Sequence, residues 1–220
     1  MRLIFTPMAQ QQTRPRVDTL NDGLFLTLRG INRNAGADMV HMVSLRLWVT
    51  PQLVITVHRL RVFVCEDLRA QIAQGNAAPS AARLLAWITE NLIDRIEAVS
   101  VDLEKQADNL EKRVYDLGTL HAPALAALHR NVIKLRGHIG PVRAAPTDLA
   151  RTPSPLIPAD LRHRLRDNAN RPTRSVDEMS EVRDRLHTLT THLDLTNNNG
   201  WGATVTCWRL SLRFSCRLRL

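Results

Sequence analysis

Apolar residues recur at Leu85, Ile88, Leu92, Ile96, Val99, Leu103, Ala107, Leu110 and Val114, in steps of 3, 4, 4, 3, 4, 4, 3 and 4. The pattern repeats every eleven residues, close to the pitch of a straight α-helix. No Gly or Pro interrupts residues 80–117, and Ser80 after Pro79 is the expected N-cap. At 1.5 Å per residue the rod would be roughly 55 Å long. A helix of that length packs along other long helices in a bundle or an oligomer.

Upstream, the period shortens to two. Leu24, Leu26 and Leu28 alternate in 24–30, Val43, Leu45, Leu47 and Val49 in 43–49, and Leu53, Ile55 and Val57 in 53–58. Alternation predicts three strands with one buried face. Thr50-Pro51-Gln52 predicts an antiparallel hairpin between the last two. Cys65–Gln74 reads as a short helix with Leu68 and Ile72 inward, stopped by Gly75.

Downstream, Gly118–Pro123 reads as a turn. A second helix follows over about 124–139, carried by Leu125, Leu128, Val132, Leu135 and Ile139, and folds back on the rod. Gly140-Pro141 ends or kinks it. Pro146, Pro153, Pro155 and Pro158 predict a stiff loop over 146–158. A third helical pattern covers 159–195 through Leu161, Leu165, Met179, Val182, Leu186, Leu189 and Leu193. An interior proline costs about 3 kcal/mol or more, so Pro172 is expected to break this helix near Asn170. Asn197–Gly202 reads as a breaker ahead of a basic tail. The expected fold class is α+β, a small partial β-sheet with a short helix followed by long antiparallel helices. The expected units are 1–79, 80–198 and 199–220.

Composition changes this picture little. With 23% charged and 44% hydrophobic residues over 220 positions, the chain suits an ordinary folded core. Charge adds more. The net value is +9, but 80–118 carries five bases against eight acids, and 129–174 ten bases against three acids. The acidic rod and the basic segment are expected to neutralise each other in part on packing. No aromatic-interleaved basic patch, zinc-finger spacing or glycine-rich phosphate loop is present, so no nucleic-acid partner is expected. Cys65, Cys207 and Cys216 fit neither a disulfide framework nor a zinc knuckle. No run of about 18 apolar residues predicts a membrane span.

Candidate chemistry is sparse. Glu90, Asp94, Glu97, Asp102, Glu104 and Asp108 form an acidic side of the rod that could draw cations; a solvated helix face is the plainer reading. Zinc needs converging His, Cys or carboxylate ligands. The histidines, His41, His58, His121, His129, His138, His163, His187 and His192, form no strong i, i+4 pair with a carboxylate. His129 and His138 lie on the second helix, towards the rod acids. No Ser/His/Asp or Cys/His arrangement supports catalysis, so neither an enzyme nor a bound cofactor is expected.

Several segments in order resemble the CorA family of divalent-cation transporters, nearest its ZntB-like zinc branch. They are Thr13-Arg14-Pro15-Arg16 with its flanks, Leu26–Asn32, Leu45–Val49, Leu53–Val57, Glu66-Asp67-Leu68, Leu92–Glu97, Leu135–His138 and Pro141-Val142-Arg143. The resemblance implies a cytoplasmic cap domain and a funnel of long helices. It also implies a homopentamer on the cytoplasmic side of the inner membrane and a pore for Zn²⁺ or Mg²⁺ made by two C-terminal helices. The family's Gly-x-Asn pore signature is missing after Asn198, and fewer residues than usual precede Thr13. The chain is therefore expected to be a truncated or frame-shifted cytoplasmic domain, unable to transport alone. The alternative is a soluble helical module that binds partner helices.

Overall fold

The structure, a computed structural model, describes residues 14–20, 23–38, 40–76, 78–117 and 122–215, with side chains as far as residue 192. Thr13, His121, Cys216 and most of the turn expected at 118–123 lie outside these residues.

Four antiparallel strands form one sheet in the order β1-β2-β3-β4: β1 Arg16–Leu20, β2 Gly23–Ile31, β3 Met42–Val49 and β4 Val54–Val57. The three alternating segments are strands, and the expected hairpin joins β3 to β4. The register sets Leu24 opposite Val49, Leu26 opposite Leu47 and Leu28 opposite Leu45, so their side chains share one face. That face is the sheet-side core. The other face is not bare. Phe25 and Trp48 are paired across the strands and packed by Leu20, Ile55 and Val57. Arg16 of β1 lies 5.5 Å from the centre of the Phe25 ring. β1 was not anticipated, because its five residues, Arg-Val-Asp-Thr-Leu, have almost no apolar pattern.

Helix α1 spans Phe63–Ala73 and stops at Gly75, whose φ of 81° suits a residue without a Cβ. Leu68 packs on the core, but Ile72 is 51% exposed and does not point inward as expected. The rod is α2, Ala81–Leu117, unbroken. The Ser80 hydroxyl accepts a hydrogen bond from the Arg83 N–H at 3.3 Å, as an N-cap should. Every position of the predicted seam is buried or packed against a core: Leu85, Ile88, Leu92, Ile96, Leu103 and Ala107 fully, Val99, Leu110 and Val114 partly.

Helix α3, Ala122–Val142, starts beside the far end of α2 and returns to the sheet end, with Pro141 in its last turn. Here the proline expectation holds. The next one does not. Residues 144–151 form a short helix, α4, and the loop is confined to 152–158. Pro146 falls in the first turn of α4, where its missing N–H would have had no helical acceptor.

The largest departure is α5, Ala159–Ser215, one helix of 57 residues with Pro172 inside it. As far as residue 192 its buried positions are Leu161, Leu165, Asn168, Pro172, Ser175, Met179, Val182, Leu186 and Leu189, alternating steps of four and three as in a heptad seam. Asn168, Pro172 and Ser175 occupy the middle of that seam, where two apolar cores meet. Leu161 and Leu165 belong to the sheet-side core, and Met179 to Leu189 to the core shared with α2 and α3. Packing on both sides offsets the cost of the proline. The expected breaker at 197–202 does not stop the helix either. Two interior glycines cost about 1 kcal/mol each against alanine, too little to end a helix already propagating over ten turns.

One apolar core crosses the 76–80 joint, since Leu85, Ala86, Ile88 and Leu92 of α2 pack with Leu24, Leu45 and Leu47. Two glycines sit where strand meets ring or helix. A Cβ on Gly23 would lie 2.5 Å from the Trp48 ring, and one on Gly30 would lie 2.5 Å from the end of the Leu92 side chain. The indole is rigid and buried, whereas a leucine methyl can rotate away. Gly23→Ala is therefore expected to lower unfolding free energy by about 1–3 kcal/mol and Gly30→Ala by less. Urea denaturation of both variants checks the order.

Candidate functional site on the long helix

The acidic side of α2 faces α5, and four of its six candidate residues are held there by arginine. Arg164 donates to Glu90 at 2.7 Å. Arg171 donates to Asp94 at 2.5 Å and to Glu97 at 2.9 Å. Arg185 donates to Asp108 at 2.5 Å and to Glu111 at 2.8 Å. Asp102 accepts from Gln106, one turn along its own helix, at 2.8 Å. Among the described residues Glu104 has no arginine partner.

These pairs share one register. The partners Glu90–Arg164, Glu97–Arg171 and Glu111–Arg185 are each 74 residues apart, and Asp94–Arg171 and Asp108–Arg185 are each 77 apart. A constant offset requires α2 and α5 to run in the same direction, with one rung every seven residues. The paired carboxylates hold the Arg171 and Arg185 guanidiniums well above the ordinary arginine range, the Glu97 and Glu111 hydrogen bonds being the largest causes.

The same offset sets Glu104 against Glu178, carboxylate against carboxylate. Burial is the main cause that pushes the Glu178 carboxyl above the ordinary glutamate range. Glu104, Glu97 and Glu181 add to it, and Arg174 opposes it. The ladder thus has an acidic gap between two arginine rungs. Arg164, Arg171, Arg185, Glu111 and Glu178 were not singled out from sequence. The signal that could have found them is the heptad spacing of the three arginines, which matches that of Glu90, Glu97 and Glu111.

Neither histidine of α3 joins this face. His138 faces Arg29, His41 and Lys134, not the rod acids, and burial, then these cations, lower its pKa. His129 forms no ion pair among the described residues. His163 and Asp167 correct the sequence reading, since they form an exposed i, i+4 pair at 3.0 Å. Among the described residues no three His, Cys, Asp or Glu side chains are grouped to hold a metal ion. No described helix is long and apolar enough to cross a membrane. Of the family-motif residues, Arg14 is exposed and Arg16 pairs with Asp18 at 3.1 Å.

The family model described as CorA-like Mg²⁺ transporter protein matches residues 2–202. The chain belongs to the CorA-like family. It is 28% identical over 172 residues to the zinc transport protein ZntB of Pectobacterium carotovorum subsp. carotovorum (strain PC1), covering 78% of this chain and 53% of that protein. The chain thus spans about half the length of the curated relatives it matches. Its fold is that of the full-length CmaX protein, with a TM-score of 0.89 and 24% identity over 99% of this chain and 69% of that one. It is also that of the ZntB cytoplasmic domain from Vibrio parahaemolyticus RIMD 2210633, at 0.79 and 22% over 90% and 80%. The CorA-like fold class expected from sequence is therefore present, small sheet first and long helices after.

Within this CorA-like domain the ladder makes two kinds of arginine. Arg171, whose side chain is 26% exposed, bridges two carboxylates across helices, whereas Arg183 pairs only with its exposed neighbour Asp184. Arg171→Gln is expected to cost about 1–2 kcal/mol and Arg183→Gln close to nothing, by chemical denaturation. For Glu178 the sign follows from its raised pKa. The ionised carboxylate penalises the fold at pH values above that raised value, and the penalty fades as pH falls towards the ordinary glutamate range. Glu178→Gln should therefore be more stable than wild type at neutral pH. Its advantage should disappear near about pH 4, as read by melting temperature across pH.

Proposed function

We infer that this chain acts as the cytoplasmic domain of a ZntB-like or CorA-like divalent-cation transporter, with Zn²⁺ or Mg²⁺ as the transported ion. It forms the helical funnel at the membrane's inner face in a homo-oligomer, a pentamer if it assembles like the intact family. It does not itself form the pore, and conduction falls to segments other than those described. The observation that carries this reading is the parallel pairing of α2 with an unbroken α5. Together they make a stalk that starts in the sheet-side core and continues past it. In this role most of the acidic face is structural. Asp102 and Glu104, with Glu178 opposite, are the carboxylates left to draw cations.

On the rod Val101 is 44% and Tyr115 81% exposed, with the paired Asp108 between them. These two separate apolar side chains suit contacts with another copy of the rod. They equally suit the second reading, a helical module that binds partner helices of other proteins.

Light scattering coupled to size exclusion tests the assembly, at several protein concentrations with and without Zn²⁺ or Mg²⁺. The expected result is a discrete homo-oligomer whose population changes with the cation, and a smaller cation response in Asp102→Asn/Glu104→Gln. A monomer at every concentration, indifferent to both metals, would contradict the transporter-domain reading.

A further inference from the structure

Arg164, Arg171 and Arg185 of α5 are each matched to acids of α2. On another side of α5 this matching fails. Between helices α4 and α5 an open surface hollow of about 410 Å³ is lined by Thr147, Ala150, Arg151, Arg166, Ala169 and Asn170. Ala150 and Ala169 are small enough to leave it open, and one arginine from each helix stands at its edge. Among the described residues neither Arg151 nor Arg166 has a carboxylate partner. None of the three acids of 129–174 lines the hollow: Asp148 is exposed, Asp167 lies 3.0 Å from His163, and Asp160 lies 3.6 Å from Arg83. The Thr147 hydroxyl donates to the Arg143 carbonyl at 2.7 Å, which leaves the Asn170 amide as the neutral donor. The segment around the hollow, 129–174, carries ten bases against three acids.

Two exposed guanidiniums thus share the rim of one hollow, and neither makes an ion pair that ties the two helices together. We propose that the hollow between α4 and α5 is a binding site for a polyvalent phosphate anion, gripped by Arg151 and Arg166. Guanidinium matches tetrahedral oxyanions through paired N–H donors, and a dianion or stronger neutralises both at once. The volume lies within the range of small-ligand sites, about 300–1,000 Å³, and admits a diphosphate group. The same chemistry is offered by free phosphate compounds and by anionic lipid headgroups.

Isothermal titration with sodium pyrophosphate tests this, at ionic strength held constant with sodium chloride. The variants are Arg151→Gln/Arg166→Gln, Arg166→Gln alone, and the charge-matched control Arg59→Gln/Arg130→Gln, all at exposed positions. Saturable binding is expected in wild type and in the control. It should weaken about tenfold or more in the double variant, as loss of charge-assisted hydrogen bonds implies, and less in the single one. Sedimentation with phosphatidylglycerol or phosphatidylcholine vesicles assigns the source. Binding to the former, displaced by pyrophosphate and lost in the double variant, marks a headgroup; pyrophosphate binding without vesicle binding marks a soluble anion. The proposal is overturned if wild type binds neither, or if the control pair loses as much affinity as the site variants.

Discussion

The parallel register between α2 and α5 is the constraint on which the other elements depend. The helices are joined through a return helix, a short helix and a loop, so local sequence does not dictate their direction or offset. Two interactions of different character set it. Apolar seams on both helices supply most of the energy, since each fully buried aliphatic side chain contributes roughly 1.5–3 kcal/mol. Seams of similar residues tolerate a slip of one heptad, and the ion pairs do not. A slip would set Arg171 against Glu104 or Glu90 and would break the paired contacts of Arg185 with Asp108 and Glu111. Individually such pairs are weak; together they distinguish one register from its neighbours.

From that register the rest follows. Because α2 and α5 both begin at the sheet end, Leu85 to Leu92 and Leu161 to Leu165 close over the strands together with Ala145, Leu149 and Ala150 of α4. Because both continue in one direction, α3 finds a cleft between them, filled by Leu125, Leu128, Val132, Leu135 and Ile139. Lys134 of α3 reaches Asp38 in the β2–β3 connection at 3.1 Å, which ties the returning helix to the sheet. The Asp38 carboxyl is held below its usual range, mainly by the Val40 N–H and then by Lys134.

Much of this was legible in the chain. The α2 seam was readable residue by residue because nothing polar or helix-breaking interrupts it. The three alternating strands were readable because leucine and valine dominate one parity. What escaped did so for definite reasons. β1 is a short polar strand held by pairing and not by pattern. The prolines at 146, 153, 155 and 158 masked a two-turn helix whose first turn accepts one of them. In α5, Asn168, Pro172 and Ser175 replace apolar residues where two cores meet, so local propensity argued for a break that tertiary packing overrides. The acidic side of α2 was visible. Its neutralisation was not, because it is created by residues 74 and 77 positions away and becomes apparent only once α5 is whole. In the CorA-like setting, the acids of the long helix chiefly hold two helices in line, and the Glu104–Glu178 gap is where negative charge stays unmatched.

A charge-exchange cycle on the ladder tests the register most directly. Glu97→Arg alone should destabilise the protein, because two guanidiniums then face each other at one rung. Adding Arg171→Glu should recover most of that loss in chemical denaturation, whereas adding Arg185→Glu, two rungs further, should recover none. Equal recovery by both second changes, or by neither, would contradict a parallel α2–α5 pairing fixed at this offset.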